Sequence, residues 1–176
     1  VDLVIKGDEA ERTELQFGGG YSELDGFFAQ TSIRTRNFLG RGETLAVSFQ
    51  SGRFRDLLDI SYFRPWLLDR PQSIGLQIFD RDLDFDLLAD QMFRRKETGA
   101  VLTYGRSFRL FEGLTFAYTL SEFEDFQSQR FVSDPDMPEG TILSQGFNFE
   151  KSSLSATYRY DSHNSRLEPT KGTRFS

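Results

Sequence analysis

Asp80, Asp82 and Asp84 are the residues of this chain best spaced for metal chemistry. Alternate carboxylates at this interval open an EF-hand loop, where they surround a calcium ion. The rest of such a loop is missing: Phe85 stands where the sharp turn requires Gly, and Gln91 where a bidentate Glu would close the site. The expectation is a solvated acidic loop over Asp80 to Asp86, with no metal and no other cofactor. His163 is the sole histidine, so any nucleophilic triad using histidine would have to form around it. It falls in a turn beside Ser162, and no Gly-x-Ser-x-Gly elbow occurs anywhere in the chain. Gly18-Gly19-Gly20 is followed by neither the Lys-Ser/Thr pair nor the helix of a phosphate loop. Consecutive glycines in a strand instead loosen packing, permit bends or admit another backbone closely. None of these groups amounts to a catalytic centre, and the chain reads as a non-enzyme.

The elements that carry these residues are strands, identified by strict alternation of apolar and polar positions. The first runs from Thr13 through Leu15 and Phe17 to Gly18-Gly19-Gly20-Tyr21, and the second carries Phe27, Ala29, Thr31 and Ile33. Leu45, Val47 and Phe49 mark a third; Leu58, Ile60 and Tyr62 a fourth; Ile74, Leu76 and Ile78 a fifth. A sixth covers about Thr98 to Phe108, a seventh alternates from Leu114 to Leu120, and an eighth from Leu154 to Tyr160. Thr173 to Ser176 resembles the start of a ninth. Compact links are expected at Asn37 to Gly42, Pro65 to Pro71 and Arg109 to Gly113. Long loops are expected over about Asp80 to Lys96 and Asp125 to Ser152, a sorting by rim that suits an outer-membrane barrel.

Composition narrows the class. The chain has 19 Phe and 15 Gly, yet no apolar run approaches the ~20 residues of a membrane-spanning helix. A barrel strand crosses in about ten residues and needs only every second one apolar, so low mean hydropathy is compatible with insertion. Acidic residues outnumber basic ones, 27 to 21, and the two are interspersed, leaving no positive footprint for nucleic acid. Cysteine is absent, which excludes disulfides and thiolate metal sites. The fifth strand places Ile74, Leu76 and Ile78 on the same face as Asp80, Asp82, Asp84 and Asp86. Carboxylates facing hydrocarbon are costly, so the chain must leave the bilayer near Phe79 or swap faces at a bulge, and exit into an external loop is favoured. Tyr62, Trp66 and Tyr104 suit an aromatic girdle at the lipid interface. The fold class is therefore an all-β, antiparallel meander forming a transmembrane β-barrel wall of about eight strands. A soluble sandwich is the competing class, distinguished by solubility without detergent.

The punctuation between strands carries a specific resemblance. Gly18-Gly19-Gly20-Tyr21-Ser22 with Asp25-Gly26-Phe27, then Asn37-Phe38-Leu39-Gly40-Arg41-Gly42, then Tyr160-Asp161 with Asn164 and Pro169-Thr170-Lys171-Gly172, resembles the start of the BamA-type assembly barrel family, which includes TamA-like relatives. The resemblance implies the first half of a sixteen-stranded barrel over residues 11–176, preceded over 1–10 by the end of the last periplasmic POTRA domain, whose closing strand Val1 to Lys6 resembles. The Val-Arg-Gly-Phe type tetrapeptide of a later family loop does not occur, and neither does the closing strand of the barrel.

By the same resemblance the chain sits in the outer membrane of a Gram-negative bacterium, ahead of an organelle outer membrane, and inserts nascent outer-membrane barrel proteins. Thr13, Glu14, Leu15, Gln16, Phe17, Gly18, Gly19, Gly20 and Tyr21 then form one side of a lateral seam that pairs with the incoming strand. Asn37, Phe38, Leu39, Gly40, Gly42, Asp161, Asn164, Pro169 and Gly172 mark periplasmic turns. Implied partners are outer-membrane lipid, client barrels and accessory lipoproteins reached through periplasmic domains. A passive pore of the two-partner secretion type is the alternative function. Half a barrel leaves two open edges, so the wall is expected either to curl into a small closed barrel or to pair edge to edge with a second copy.

Overall fold

The computed structural model describes residues 12–23, 26–88, 91–109, 111–130, 142–162 and 173–175. They form one antiparallel sheet in which every strand pairs with its neighbours in sequence, from β1 to β9. The strands are β1 (Thr13–Ser22), β2 (Gly26–Arg36), β3 (Thr44–Gly52), β4 (Arg55–Arg64), β5 (Gln72–Leu88), β6 (Gln91–Arg109), β7 (Glu112–Arg130), β8 (Ile142–Asp161) and β9 (Arg174–Phe175). A single 3-10 turn, Leu67–Asp69, interrupts the link between β4 and β5.

The alternation produces two unlike faces. Register places Val47, Ile60, Ile78, Ala100, Leu120 and Ser152 in one cross-strand row, with Leu45, Tyr62, Leu76, Leu102, Tyr118 and Leu154 in the next. Leu76, Ile78, Leu102, Tyr118, Leu120 and Leu154 are all exposed on this face. The opposite face carries Gln16, Gln30, Ser48, Asp59, Ser61 and Gln77, with Gln77 donating to Asp59. Phe79 is the one buried hydrophobic residue among those described. There is a single layer with its apolar side chains turned outward, which excludes the soluble sandwich, because a sandwich buries that face between two sheets.

Two expectations about shape are corrected. The segments from Asp80 to Lys96 and from Asp125 to Ser152 are mostly strand, since β5 continues to Leu88, β6 begins at Gln91, β7 reaches Arg130 and β8 starts at Ile142. Rim asymmetry therefore lies in strand length: β1 to β4 have 9 to 11 residues, and β5 to β8 have 17 to 20. About ten residues cross a bilayer, so β5 to β8 stand well proud of it on one side. The wall is also open, with β1 and β9 at opposite ends of the strand order, and does not curl into a closed eight-stranded barrel. Eight strands close around packed side chains, whereas this inward face is polar, as in the lining of a wider barrel.

The extension is stabilised by cross-strand pairs in place of lipid. Register is unbroken from Gln72 to Asp86, so no bulge swaps the faces of β5. Its outward aspartates meet cations on β6: Arg94 forms a forked ion pair with Asp82 and lies 3.4 Å from Asp84, while Lys96 lies 3.9 Å from Asp80. On the inward face Arg95 donates to both oxygens of Asp125 at 2.7 and 2.6 Å. The same guanidinium lies 5.3 Å from the Phe93 ring and 5.9 Å from Phe123, which stacks on Phe149 with centroids 4.8 Å apart. These contacts replace water and lipid at once, which is why the strands persist beyond the apolar band. The hydrogen bonds from Arg95 hold the Asp125 carboxyl below its ordinary range against the upward push of burial.

Candidate functional site

All nine residues expected to form a seam, Thr13 to Tyr21, lie on β1. Their register against β2 runs unbroken from Thr13 opposite Thr35 to Ser22 opposite Gly26. No other described strand pairs with β1, so its second edge presents a row of backbone donors and acceptors along the wall. Side chains along β1 are sparse and exposed. Outward stand Leu15, Phe17 and Tyr21, the last in a tilted ring contact with Phe27 at 4.9 Å. Inward, Gln16 donates to Glu14 at 2.6 Å. Thr13 and Thr35 hydroxyls share a hydrogen bond at 3.2 Å near the end of the ladder.

The glycines have a steric role that β1 alone does not reveal. A Cβ at Gly18 would sit 2.8 Å from Nε2 of Gln30, and one at Gly20 would sit 3.0 Å from Cζ of Phe28. Two β2 side chains thus lie across β1 on the inward face, in space that any larger residue would occupy.

Seven residues link β2 to β3, and the sequence-identified turn builds a compact cage there. Asn37 takes a left-handed conformation, φ 54°, and its Oδ1 accepts the Gly42 N–H at 2.8 Å. The Phe38 N–H reaches the Glu43 carbonyl at 3.2 Å, and the Gly40 N–H reaches that of Asn37 at 3.1 Å. Gly40 and Gly42 have φ of 81° and 77°, backbone angles that a side chain would strain. Asp161 closes β8, its N–H bonded to the Phe111 carbonyl at 2.9 Å. His163, Asn164, Pro169 and Gly172 lie outside the described residues, as does the segment Val1 to Lys6.

Glu43, absent from the sequence-derived candidates, is the most buried residue of this turn, with no solvent exposure. Its Oε2 accepts the Arg41 N–H at 2.9 Å, and its Oε1 lies 3.9 Å from Nε of Arg64 on β4. Burial pushes the Glu43 carboxyl upward, but the N–H groups of Glu43, Arg41 and Leu39 and the charge of Arg64 outweigh it and hold it below the ordinary carboxylate range. Gly42 also approaches Pro65, 3.4 Å from where its Cβ would lie. The two turns on this rim are therefore joined through a buried charge. A Glu directly after a Gly-rich turn was the only local signal for it.

Of the three residues expected in a girdle, Tyr62 and Tyr104 share a face but not a row. Tyr62 pairs with Leu76 and Tyr104 with Ile74, both outward, while Trp66 is exposed in the adjoining turn at φ 55°.

With this geometry in view, the matches to known proteins are informative. The model of the Omp85 superfamily domain matches residues 37–176. The structure of BamA from Haemophilus ducreyi lacking POTRA domains 1–3 superposes with a TM-score of 0.59 at 22% identity, covering 94% of this chain. This chain spans 33% of that one, so the shared feature is the fold of one portion of the barrel wall. A one-layer meander with outward apolar rows, turn cages on one rim and a family match over most of its length makes this chain a member of the Omp85 superfamily, a family of outer-membrane β-barrels that serve protein insertion and secretion.

Proposed function

We propose that this chain is the seam-bearing wall of an assembly barrel in a Gram-negative outer membrane, and that the free edge of β1 templates the incoming strand of a nascent outer-membrane barrel protein. The observation that carries this reading is the make-up of β1, a 10-residue strand with glycine at three successive positions, paired in unbroken register to β2 and to no other described strand. Strand addition to such an edge supplies main-chain hydrogen bonds without covalent chemistry. Outward rows of Leu, Ile and Tyr contact lipid, with Tyr62, Trp66 and Tyr104 near the headgroups. Residues 11–176 act as barrel wall, residues 1–10 lead from a periplasmic domain, and accessory lipoproteins engage such domains.

The test uses the chain in detergent micelles with a synthetic amphipathic strand of about ten residues, the length of one crossing. A photoreactive side chain at Phe17 on β1 is expected to capture the peptide, and one at Phe116 on β7 is not. A peptide with alternate N-methylated amides is expected to lose capture. Equal labelling at both positions, or indifference to N-methylation, overturns strand templating. Sizing of the same sample shows whether two copies have paired edge to edge.

The polar inward face, with Gln16, Gln30, Asp59 and Gln77, favours a second reading, a pore of the two-partner secretion type. A disulfide locking β1 to the barrel-closing strand of the full-length parent separates the two: it abolishes insertion under the first reading and spares conductance under the second.

A further inference from the structure

Resting on the templating reading, we propose that Phe28 and Gln30 of β2, lying across the glycines of β1, form a subsite that selects the side chains of the incoming strand, with an aromatic preferred opposite Gly20. Phe28 stands between two glycines in its row, Gly20 on β1 and Gly52 on β3. Its ring points toward the edge: Cζ lies 3.0 Å and Cε1 3.1 Å from where a Gly20 Cβ would be, while only its Cβ approaches Gly52, at 3.2 Å. Gln30 likewise leans over Gly18, with its Nε2 2.8 Å and its Cγ 3.0 Å from the absent Cβ. Gln30 and Gly18 also line an inward concavity of about 480 Å³ together with Gln16, Ser48 and Gln50.

The consequence for a third strand is geometric. Directly opposed residues on adjacent strands have Cβ atoms about 5 Å apart. The residue paired with Gly20 on its free edge finds no β1 side chain there, but it finds the tip of the Phe28 ring standing at that position. Its own inward side chain therefore lies within ring-packing distance of Phe28, one strand further away than sheet geometry ordinarily allows. Two residues along the same incoming strand, the residue paired with Gly18 meets a primary amide. The occupant that fits is an extended amphipathic segment with an aromatic opposite Gly20 and a hydroxyl or amide side chain opposite Gly18. An aromatic pair packed this way favours the aromatic over alanine by about three- to tenfold in affinity.

The chain has no cysteine, so a single Thr13→Cys substitution is a unique attachment point. Peptides with one Cys opposite position 13, set so that the residue seven positions before that Cys lies opposite Gly20 in antiparallel pairing, differ only there: Phe, Leu or Ala. Disulfide-exchange equilibrium in glutathione buffer, in micelles, measures pairing in one fixed register. The Phe peptide is expected to exceed the Ala peptide by the stated factor, and Phe28→Ala to bring the ratio to about one. Gly20→Ala keeps the ring but displaces its tip and is expected to do the same, which covers the case in which Phe28→Ala fails to fold. Equal exchange of all three peptides above a glutathione baseline, or a ratio that survives both substitutions, overturns the subsite alone. Exchange no better than glutathione for every peptide overturns strand templating itself.

Discussion

The stack of Phe79, Gly99 and Ser121 across β5, β6 and β7 sits where the apolar residues of β5 change from the outward to the inward face. Phe79 and Ser121 are 4% and 3% exposed, and the Arg81 guanidinium covers the ring at 4.2 Å. A methyl group at Gly99 would lie 2.7 Å from the Leu120 carbonyl oxygen, 2.7 Å from Cζ of Phe79 and 2.9 Å from Cβ of Ser121. The ring can turn aside, but the carbonyl cannot move without disturbing the β6–β7 ladder. Overpacking of this kind costs about 1–3 kcal/mol, and the backbone clash puts Gly99→Ala in the upper half, about 2–3 kcal/mol. Unfolding equilibria would shift roughly 30- to 150-fold. Urea unfolding in micelles, followed by the circular dichroism of the strands, measures this. Phe79→Ala removes one of the three close contacts, so the double substitution is expected to cost about 1 kcal/mol less than the sum of the singles. A Gly99→Ala protein within about 0.5 kcal/mol of the parent, or strict additivity in the cycle, would refute the reasoning.

Two further outcomes follow from the rim. Because the Glu43 carboxyl is held below its ordinary value of 4.5, the stability it confers is complete above that value and lost as pH falls through the lower, folded-state value. Amide exchange in 37–43 and 65–70 is thus expected to accelerate together in acid, and Glu43→Gln to abolish this coupled pH response; independent acceleration of the two turns would contradict the buried bridge. Trp66 is the only tryptophan, so intrinsic fluorescence in bilayers reports on one site. Lipids brominated near the headgroup are expected to quench it more strongly than lipids brominated near the chain ends, and the opposite order would remove it from the girdle.

The lipid-facing part of the wall was legible because its code is local. Leu114, Phe116, Tyr118 and Leu120 alternate with Thr, Ala and Ser, and the strand can be read without knowing its partners. The extension was not legible, because its stabilising groups are distant in sequence. Arg94 answers Asp82 across a hairpin, and Arg95 answers Asp125, 30 residues away. Read singly, these charges look like loop. The strand over Thr13 to Tyr21 was legible from its alternation, but the side chains that fill its inward face come from β2, and nothing within Gly18 to Gly20 announces Gln30 or Phe28. Glu43 was missed for a different reason, since an exposed turn is the ordinary setting of such a residue and its burial depends on Arg64 and the backbone of its own turn.

The contrast between the two halves of the wall bears on where it can open. Unpaired backbone groups in hydrocarbon cost several kcal/mol each, so a strand edge in lipid is a high-energy surface until another strand or water satisfies it. One such edge belongs to β1, a strand of 10 residues held by one described neighbour, with glycine at three successive positions and few side chains of its own to resist separation. From β5 to β8 the strands are nearly twice as long and are cross-linked by the Asp82–Arg94 and Asp125–Arg95 pairs and by the Phe79 stack. Local opening follows the least stabilised ladder. The cross-linked ladders of β5 to β8 are therefore expected to hold their register more firmly than the short β1–β2 ladder, and under the proposed templating an incoming strand that satisfies the β1 backbone would be favoured by the same hydrocarbon that makes the bare edge costly.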